Sequence, residues 1–315
     1  MKKTYVGGQA VMEGVMMKHD SDYATAVRKP DHTIEVKLER FESLGEKHAI
    51  AKWPIIRGVV NFVESMIIGM KTLTYSSSFY EEEEMEEPSK FSNWLDRVTG
   101  GNGEKVEMGI VVCMSIFMAI AIFMMLPYFL TDFLRKYISS HVLISVIEGV
   151  LRIAIFLAYV VLISRMKEIQ RVFMYHGAEH KTINCMEHGE DLTPENVKKY
   201  SRLHKRCGTS FLLIVMIVSI IFFIFIRVEQ MWLRAVVRLL LIPVIAGVSY
   251  EFIRLAGRSD SKIIGLLSVP GMCLQKLTTR EPDEEMIEVA IKAVEGVFDW
   301  KSYVEAVREG TLEDE

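Results

Sequence analysis

The sequence predicts a mainly α-helical membrane protein with about four transmembrane helices, a small strand-containing cytoplasmic unit at the N-terminus, and a cytoplasmic helical hairpin between the second and third spans. Half of its 315 residues are hydrophobic and its mean hydropathy is positive, which argues against a purely soluble protein. Four long apolar segments supply the candidate spans. They are residues 108–130, 142–164, 209–226 and 231–246.

The first candidate span contains no charged residue and is long enough to cross a bilayer of about 30 Å as a helix, with an expected kink at Pro127. The second carries Glu148 and Arg152 at i and i+4. Mutual neutralisation between packed helices explains this pair most simply, and a proton or substrate pathway is the alternative. For the fourth segment, which contains Arg234 and Arg238, a buried helix of a soluble core is the alternative.

The orientation in the membrane follows from the basic residues. The loop 165–206 carries nine Lys and Arg residues, whereas the loops on the opposite side are short. The positive-inside rule therefore predicts that this loop and both termini face the cytoplasm. Cys185 and Cys207 then lie in a reducing compartment, where thiols close to imidazoles favour a metal over a disulfide.

The remaining chain divides into soluble segments around the spans. Segments 24–28 and 33–38 read as strands on either side of a turn, and Glu13 lies among apolar residues and glycines. Glu13 is either a solvated loop residue or an acid held in a site. The predicted domains are 1–53 (strand-containing unit), 54–107 (interfacial helix and acidic linker), 108–256 (membrane region with the hairpin 165–208) and 257–315 (C-terminal loop and helix).

Within these segments, residues 54–74 predict a helix that lies in the membrane interface, with a soluble core helix as the alternative. The acidic run 81–84 predicts a solvated linker, and 91–98 a short amphipathic helix. Residues 257–272 are expected to form a loop, and the apolar spacing after Pro282 predicts a final helix.

The central loop carries the residues with metal chemistry. His176, Glu179 and His180 are spaced i, i+3 and i+4, so on a helix they share one face. His204 and Cys207 repeat the three-residue step. Two such pairs could close around one zinc ion or another divalent transition metal.

The two arms of the predicted hairpin bring these pairs together. The second span is expected to continue as a helix through His180 and to end near residue 188. Thr193 and Pro194 then predict an N-cap and a first helical position, and this helix is expected to run to about Cys207 and to end at Gly208.

Whether such a metal would be catalytic depends on the number of ligands. H-x-x-E-H is also the arrangement of inverted zinc peptidases, in which Glu179 would be the base and Glu13 or Glu187 a distant ligand. If His176, His180, His204 and Cys207 all bind, the site is closed and structural. Catalysis requires one of them to leave a position for water. The spare candidate ligands are Cys185, His188 and Asp191.

Two classes of function follow from these observations. The first is a metal-dependent hydrolase at the cytoplasmic membrane face. The second is a non-enzymatic scaffold or small transporter with a structural zinc. The net charge of −4 implies no polyelectrolyte partner, and the basic loop fits the lipid bilayer and phospholipid headgroups better than nucleic acid. The sequence contains no P-loop, dinucleotide fingerprint or nucleophile elbow.

Four separated motifs resemble the YqhQ family of bacterial membrane proteins. The resemblance covers nearly the whole chain and implies a multi-pass protein of the bacterial cytoplasmic membrane. It also implies a metal-dependent enzyme, because the family has been described as predicted metal-dependent enzymes. The motifs are 7–17 (GGQAVMEGVMM), 175–185 (YHGAEHKTINC), 200–211 (YSRLHKRCGTSF) and 277–283 (LTTREPD).

Overall fold

The computed structural model describes residues 4–80, 96–101, 103–226, 228, 230–258 and 262–311. The chain is mostly helical and carries one small antiparallel sheet near the N-terminus. It forms two compact units, the first made of Met1–Tyr80, Val160–Val215 and Leu241–Glu315, the second of Glu81–Tyr159 and Met216–Leu240. The predicted acidic linker and most of the predicted helix 91–98 lie outside the described residues.

The sheet confirms the strand-containing N-terminal segment. Its four antiparallel strands follow in chain order: β1 Gly7–Val11, β2 Gly14–His19, β3 Asp22–Arg28 and β4 Ile34–Arg40. The two predicted strands correspond to β3 and β4. The β1–β2 hairpin was not predicted, because its glycines and methionines have little strand preference. Glu13 occupies its turn with a positive φ of 48°.

Helices make up most of the rest of the described chain. They are α1 Leu44–Lys47, α2 Ile56–Ser77, α3 Gly103–Ile120, α4 Leu126–Asp132, α5 His141–Ile163, α6 Lys167–Glu187, α7 Pro194–Lys198, α8 Gly208–Phe225, α9 Met231–Arg258, α10 Lys262–Thr278, α11 Glu284–Val297 and α12 Trp300–Glu309. Ala121–Met125 is a π-helical turn, which widens the helix just before Pro127, a residue without an N–H group.

Four helical segments of the described chain are long and apolar enough to cross a membrane. They are Val106–Asp132, His141–Ile163, Gly208–Phe225 and Trp232–Leu255, and they coincide with the four segments predicted as candidate spans. Large apolar side chains on them face outwards: Phe117, Phe225 and Leu240 expose 70, 78 and 70% of their surface. Such exposure on long helices fits contact with lipid and indicates a membrane protein.

In the first unit, the sheet packs against helices. Strands β2 and β3 lie on α11, and α11 in turn contacts α6. The predicted apolar positions of α11, such as Met286, Val289 and Ala290, are fully buried. Asp283 caps this helix by accepting a hydrogen bond from Met286 N at 2.8 Å.

In the second unit, charged side chains are buried within the candidate spans. Glu148 accepts hydrogen bonds from Arg152, at 3.0 Å, and from Arg238. All three residues are at least nine-tenths buried, and the guanidinium groups of both arginines lie over the ring of Phe223. The Glu148–Arg152 pair is therefore neutralised between packed helices, as the simpler interpretation predicted.

Three sequence predictions of local structure are wrong. The second span does not continue as one helix, because α5 ends at Ile163 and α6 begins at Lys167. The predicted loop 257–272 is largely helix α10. The predicted helix from Pro194 to Cys207 ends at Lys198, and Gly208 begins the next helix instead of ending this one. Thr193 caps α7 as predicted, accepting from Asn196 N.

Residues 199–207 leave the helical path because side chains of α6 bind their carbonyl groups. Lys181 Nζ donates to the carbonyl oxygens of Lys198 and Tyr200, at 3.0 and 2.8 Å. Asn184 Nδ2 donates to those of Ser201 and Leu203, at 2.7 and 3.1 Å. These carbonyl groups then need no intrahelical partner. We call residues 199–207 the strap.

Candidate functional site

The predicted site residues of the central loop meet in one cavity of the first unit. His176, Glu179 and His180 lie on one face of α6, as their spacing predicted. They line a cavity of about 630 Å³ together with residues of β1 and with His204 and Cys207 of the strap. The strap thus brings the second half of the predicted constellation to the first, although it is not the predicted helix.

Both histidines of α6 are oriented by backbone carbonyl groups. His176 Nδ1 lies 2.9 Å from the carbonyl oxygen of Thr278, and His180 Nδ1 lies 2.7 Å from that of Arg202. A carbonyl oxygen can only accept, so Nδ1 of each ring carries a hydrogen, and in the neutral form of the ring Nε2 is the atom with the lone pair. This is the second-shell arrangement that orients metal-binding histidines.

Cys207 completes a group of three possible ligands. Its Sγ lies 3.3 Å from His176 Nε2 and accepts a hydrogen bond from Thr209 N at 3.4 Å. The ligand atoms of His176, His180 and Cys207 all lie within 4.8 Å of one another. Ligands of one tetrahedral zinc ion, at bond lengths of about 2.0–2.3 Å, lie roughly 3.3–3.8 Å apart. The three side chains therefore need little movement to share an ion.

The second ring nitrogen of His180, Nε2, is free to bind a metal ion. Its Nε2 is buried without a hydrogen-bond partner among the described residues. Burial lowers the pKa of His180, so the ring is held neutral, the form that binds metals. A buried acceptor without a partner is costly, and a bound ion would satisfy it.

Glu179 is buried beside this group. Its Oε2 also has no partner in the described part of the chain, and burial raises its pKa to about 7. The close approach of β1 shields it: a Cβ on Gly8 would lie 2.7 Å from Glu179 Cγ. Any larger residue at this position would have to displace the Glu179 side chain. A carboxyl group with such a pKa can both accept and release a proton near neutral pH.

His204 points to a different partner. Its Nε2 lies 3.6 Å from Glu187 Oε2, and its backbone N–H and carbonyl groups are both bound by the side-chain amide of Gln275, at 2.8 Å each. Glu187 also accepts hydrogen bonds from Thr4 and Arg206. Burial alone would raise the pKa of Glu187, but the nearby His204 ring and the charge of Arg206 outweigh it and lower the pKa.

Glu13 lies away from the cavity. Its carboxylate forms a two-point ion pair with Arg171 and accepts a hydrogen bond from Tyr175 OH at 3.2 Å. Burial, followed by the nearby charge of Glu13, raises the pKa of Tyr175. These contacts join the β1–β2 turn to α6 at Arg171 and Tyr175, five residues and one residue before His176. They give Glu13 a positioning contact and do not bring it to the three possible ligands.

The spare candidates have other contacts. Cys185 is buried, which raises the pKa of its thiol to about 12, and its Sγ faces the carbonyl groups of Glu190 and Asp191. His188 binds the carbonyl oxygen of Asn184 through Nδ1 at 2.7 Å. Asp191 pairs with Arg308 at 3.1 Å.

Several residues of the site carry no recognisable signal in the sequence. The acceptors for His176 and His180 are backbone carbonyl oxygens, which any residue could supply. Gln275 looks like an ordinary polar residue on α10. Gly177 could be suspected only as a glycine inside a helix: a Cβ there would lie 2.0 Å from the carbonyl oxygen of Arg280. It lets the segment that orients His176 pass close to α6.

Comparison with known proteins gives a consistent assignment. Residues 53–300 match the family described as "Protein of unknown function (DUF1385)". The chain is 36% identical over 298 residues to "Uncharacterized protein YqhQ" of Bacillus subtilis (strain 168), which covers 91% of this chain and 90% of that protein. No solved structure matches the chain. Because both matches extend over most of the sequence, the protein belongs to the YqhQ (DUF1385) family of proteins of unknown function.

Proposed function

We propose that this protein is a metal-dependent, hydrolase-like enzyme acting at the cytoplasmic face of the membrane. His176, His180 and Cys207 would hold a divalent transition metal, with zinc as the first candidate. Glu179 would be the general base. The observation that carries the proposal is the convergence of three ligand atoms and an unpartnered buried carboxylate in one cavity.

The number of ligands favours chemistry over a purely structural ion. Catalytic zinc sites keep three protein ligands and a position for water, whereas structural sites are closed by four. His204, the fourth predicted ligand, pairs with Glu187. A bound metal ion would lower the pKa of a water molecule in the remaining position, and Glu179, which lines the same cavity, would take its proton.

The proposal includes the predicted topology. The protein would be a multi-pass protein of the bacterial cytoplasmic membrane with both termini and the loop 165–206 in the cytoplasm, because this loop carries nine basic residues. Anionic phospholipid headgroups would be the contacts of its exposed lysines and arginines.

The metal site can be tested without a substrate. Purified full-length protein should contain about one zinc ion per chain by elemental analysis. The Co(II)-substituted protein should show the intense thiolate charge-transfer band of a cysteine ligand. His176→Ala, His180→Ala and Cys207→Ala should each lose the metal. His188→Ala and Cys273→Ala, which alter exposed residues outside the group, should retain it. Retention of zinc by all three ligand variants would refute the site.

The open position and the base need separate measurements. Acetohydroxamate should perturb the Co(II) d–d spectrum if a coordination position is free. Glu179→Gln should keep the metal and the fold and should lose the phenotype that the wild type restores in a deletion strain. A Glu179→Gln protein that complements fully would contradict the enzymatic role.

The topology can be tested by labelling cysteines with a membrane-impermeant maleimide. In a background without the exposed Cys113 and Cys273, Glu309→Cys should react only in inverted vesicles. Tyr137→Cys, between the first two spans and 74% exposed, should react in intact spheroplasts. The opposite pattern would place the cavity outside the cytoplasm.

A second candidate is a small transporter or scaffold with a structural zinc. The buried cluster of Glu148, Arg152 and Arg238 favours it, because ionisable residues inside spans often mark a pathway. The same measurements distinguish it from the first candidate. A structural site would bind metal but would not respond to acetohydroxamate, and Glu179→Gln would be silent.

A further inference from the structure

The outer edge of strand β1 offers unpaired backbone groups. Within the described chain β1 pairs only with β2, in a register that ends with Val11 opposite Gly14. This pair closes a two-residue turn and therefore exchanges both of its hydrogen bonds. Because hydrogen-bonded and non-bonded pairs alternate along an antiparallel ladder, the N–H and carbonyl groups of Gly8 and Ala10 point to the outer edge.

This edge is exposed at Gly8, half-buried at Ala10, and lacks the usual protection against pairing. Among the residues that the structure describes, none hydrogen-bonds to the outward backbone groups of Gly8 or Ala10. Gly8 is exposed, and the strand contains no charge or proline, the usual protection of an edge against pairing. Only beyond the strand is the edge closed, where Met12 N donates to Ser76 Oγ at 3.2 Å.

The edge lies along the candidate site. Gly8 and Ala10 line the 630 Å³ cavity together with Glu179 and the three possible ligands. A second cavity of about 400 Å³ shares the walls Tyr5, Gly7, Gly8, Gln9 and Ser65 with the first. The two cavities therefore adjoin each other along β1, and the first of them contains Glu179.

We infer that this edge binds an extended polypeptide as an added β-strand, so that the substrate class of the site is a peptide. Main-chain hydrogen bonds to Gly8 and Ala10 would supply affinity with little dependence on sequence. They would also hold one peptide carbonyl group beside Glu179. The inference rests on the proposed metal site and adds to it the identity of the substrate.

The reaction at that position balances with water alone. The oxygen of one water molecule forms a bond to the peptide carbonyl carbon, and the C–N bond breaks. The proton that Glu179 takes from the water passes to the leaving amine. The products are a carboxylic acid, whose own proton ionises to the amine or to solvent at neutral pH, and an amine, and no oxidant or further reactant is needed.

The test uses two probes on Co(II)-substituted full-length protein. One is acetohydroxamate, which can occupy only the metal position. The other is an N-acetylated tetra-alanine hydroxamate, which can also lie along the strand. Two added backbone hydrogen bonds should strengthen binding of the peptide probe by at least about tenfold relative to acetohydroxamate.

The peptide probe also tests the geometry of a strand. Its amides are N-methylated one at a time, which removes one donor and leaves the protein unchanged. Since a strand directs successive N–H groups to opposite sides, only alternate N-methyl probes should lose the tenfold advantage. A uniform loss, or none, would contradict strand addition.

On the protein side, Ala10→Pro removes one outward N–H group at an edge strand, where proline is tolerated. It should weaken binding of the peptide probe about tenfold and leave binding of acetohydroxamate unchanged. Leu38→Pro is the matched control. Phe41 N donates to Ser21 O, so the alternation places the Leu38 N–H on the opposite free edge, along β4. This variant should bind both probes as the wild type does.

The outcomes separate the two proposals. If acetohydroxamate does not bind, the open metal site fails and the substrate assignment fails with it. If acetohydroxamate binds but the peptide adds nothing, the metal site stands and the peptide class is wrong. A concentration-dependent dimer that Ala10→Pro dissociates would show that a second copy occupies the edge, and would also overturn the inference.

Discussion

His176 Nδ1 and the carbonyl oxygen of Thr278 lie 2.9 Å apart, although 102 residues separate them in the chain. This hydrogen bond fixes the tautomer of the ring and directs Nε2 towards Cys207. The segment after α10 is held in place by a second contact, in which Arg280 N donates to Phe173 O at 2.8 Å. The orientation of the first possible ligand therefore depends on the end of α10 and the segment that follows it.

This dependence predicts the effect of Gly177→Ala. The new methyl group would meet the carbonyl oxygen of Arg280 at 2.0 Å, so the segment carrying Thr278 must move. We expect a loss of stability of about 2 kcal/mol or more and a clear fall in zinc content. Gly109→Ala, at a helical glycine with nothing within 4 Å, is the control and should leave the thermal midpoint in detergent unchanged. Equal behaviour of the two variants would contradict the close approach.

Gln275→Met is expected to loosen the strap. The Gln275 amide binds both backbone groups of His204 and donates to Ser210 Oγ at 2.9 Å, and it is fully buried. Methionine keeps the volume but removes all three hydrogen bonds, which leaves buried backbone groups unpaired. Stability should fall by roughly 2–4 kcal/mol. Metal affinity should fall about 10–100-fold, measured by competition with a chelator. A variant with unchanged metal affinity would show that Gln275 does not position Cys207.

Glu187→Gln predicts a pH-dependent change in stability. The pKa of Glu187 is lowered from its ordinary value of 4.5 in the folded protein. Its charge therefore stabilises the fold fully above about pH 4.5, and this contribution is lost as the pH falls through the lowered pKa. The free energy of unfolding of the wild type should exceed that of Glu187→Gln by about 1–3 kcal/mol at neutral pH. This difference should shrink on acidification. Glu190→Gln, at an exposed neighbour, should show no such difference in thermal unfolding at either pH.

Glu148→Gln should destabilise the second unit. It removes the carboxylate that Arg152 and Arg238 share and leaves two buried cations without a counter-charge. We expect a loss of about 3–5 kcal/mol in SDS-induced unfolding in mixed micelles. Glu148→Asp, which keeps the charge, should lose less of this unfolding free energy. Glu168→Gln, at an exposed position, should lose none of it. If Glu148→Gln unfolds as the wild type does, the ion cluster contributes no stability.

The parts of the structure that follow from local patterns could be predicted from the sequence. Long apolar runs located the four spans, and the i, i+3, i+4 spacing placed His176, Glu179 and His180 on one helix face. The N-cap Thr193 was visible in the same way, because a cap depends on the next three residues.

The parts of the structure that depend on contacts between distant residues could not be predicted from the sequence. The strap was predicted as a helix because its local sequence permits one, but Lys181 and Asn184 offer its carbonyl groups other partners. The β1–β2 hairpin lacks the residues typical of strands, and tertiary packing decides its conformation. The grouping of His204 with the other possible ligands assumed a straight second arm. In the structure the strap turns His204 towards Glu187.

The hydrogen bond between His176 and Thr278 has a consequence for biosynthesis. The chain emerges from the ribosome in order, so His176 is made about a hundred residues before its acceptor. When His176, His180 and Cys207 have emerged from the ribosome, the nascent chain still lacks the Thr278 carbonyl group that orients the His176 ring. High-affinity binding of a metal ion in the cavity should therefore begin only after α10 has been made and has reached its place. A chain truncated before residue 278 should bind metal poorly.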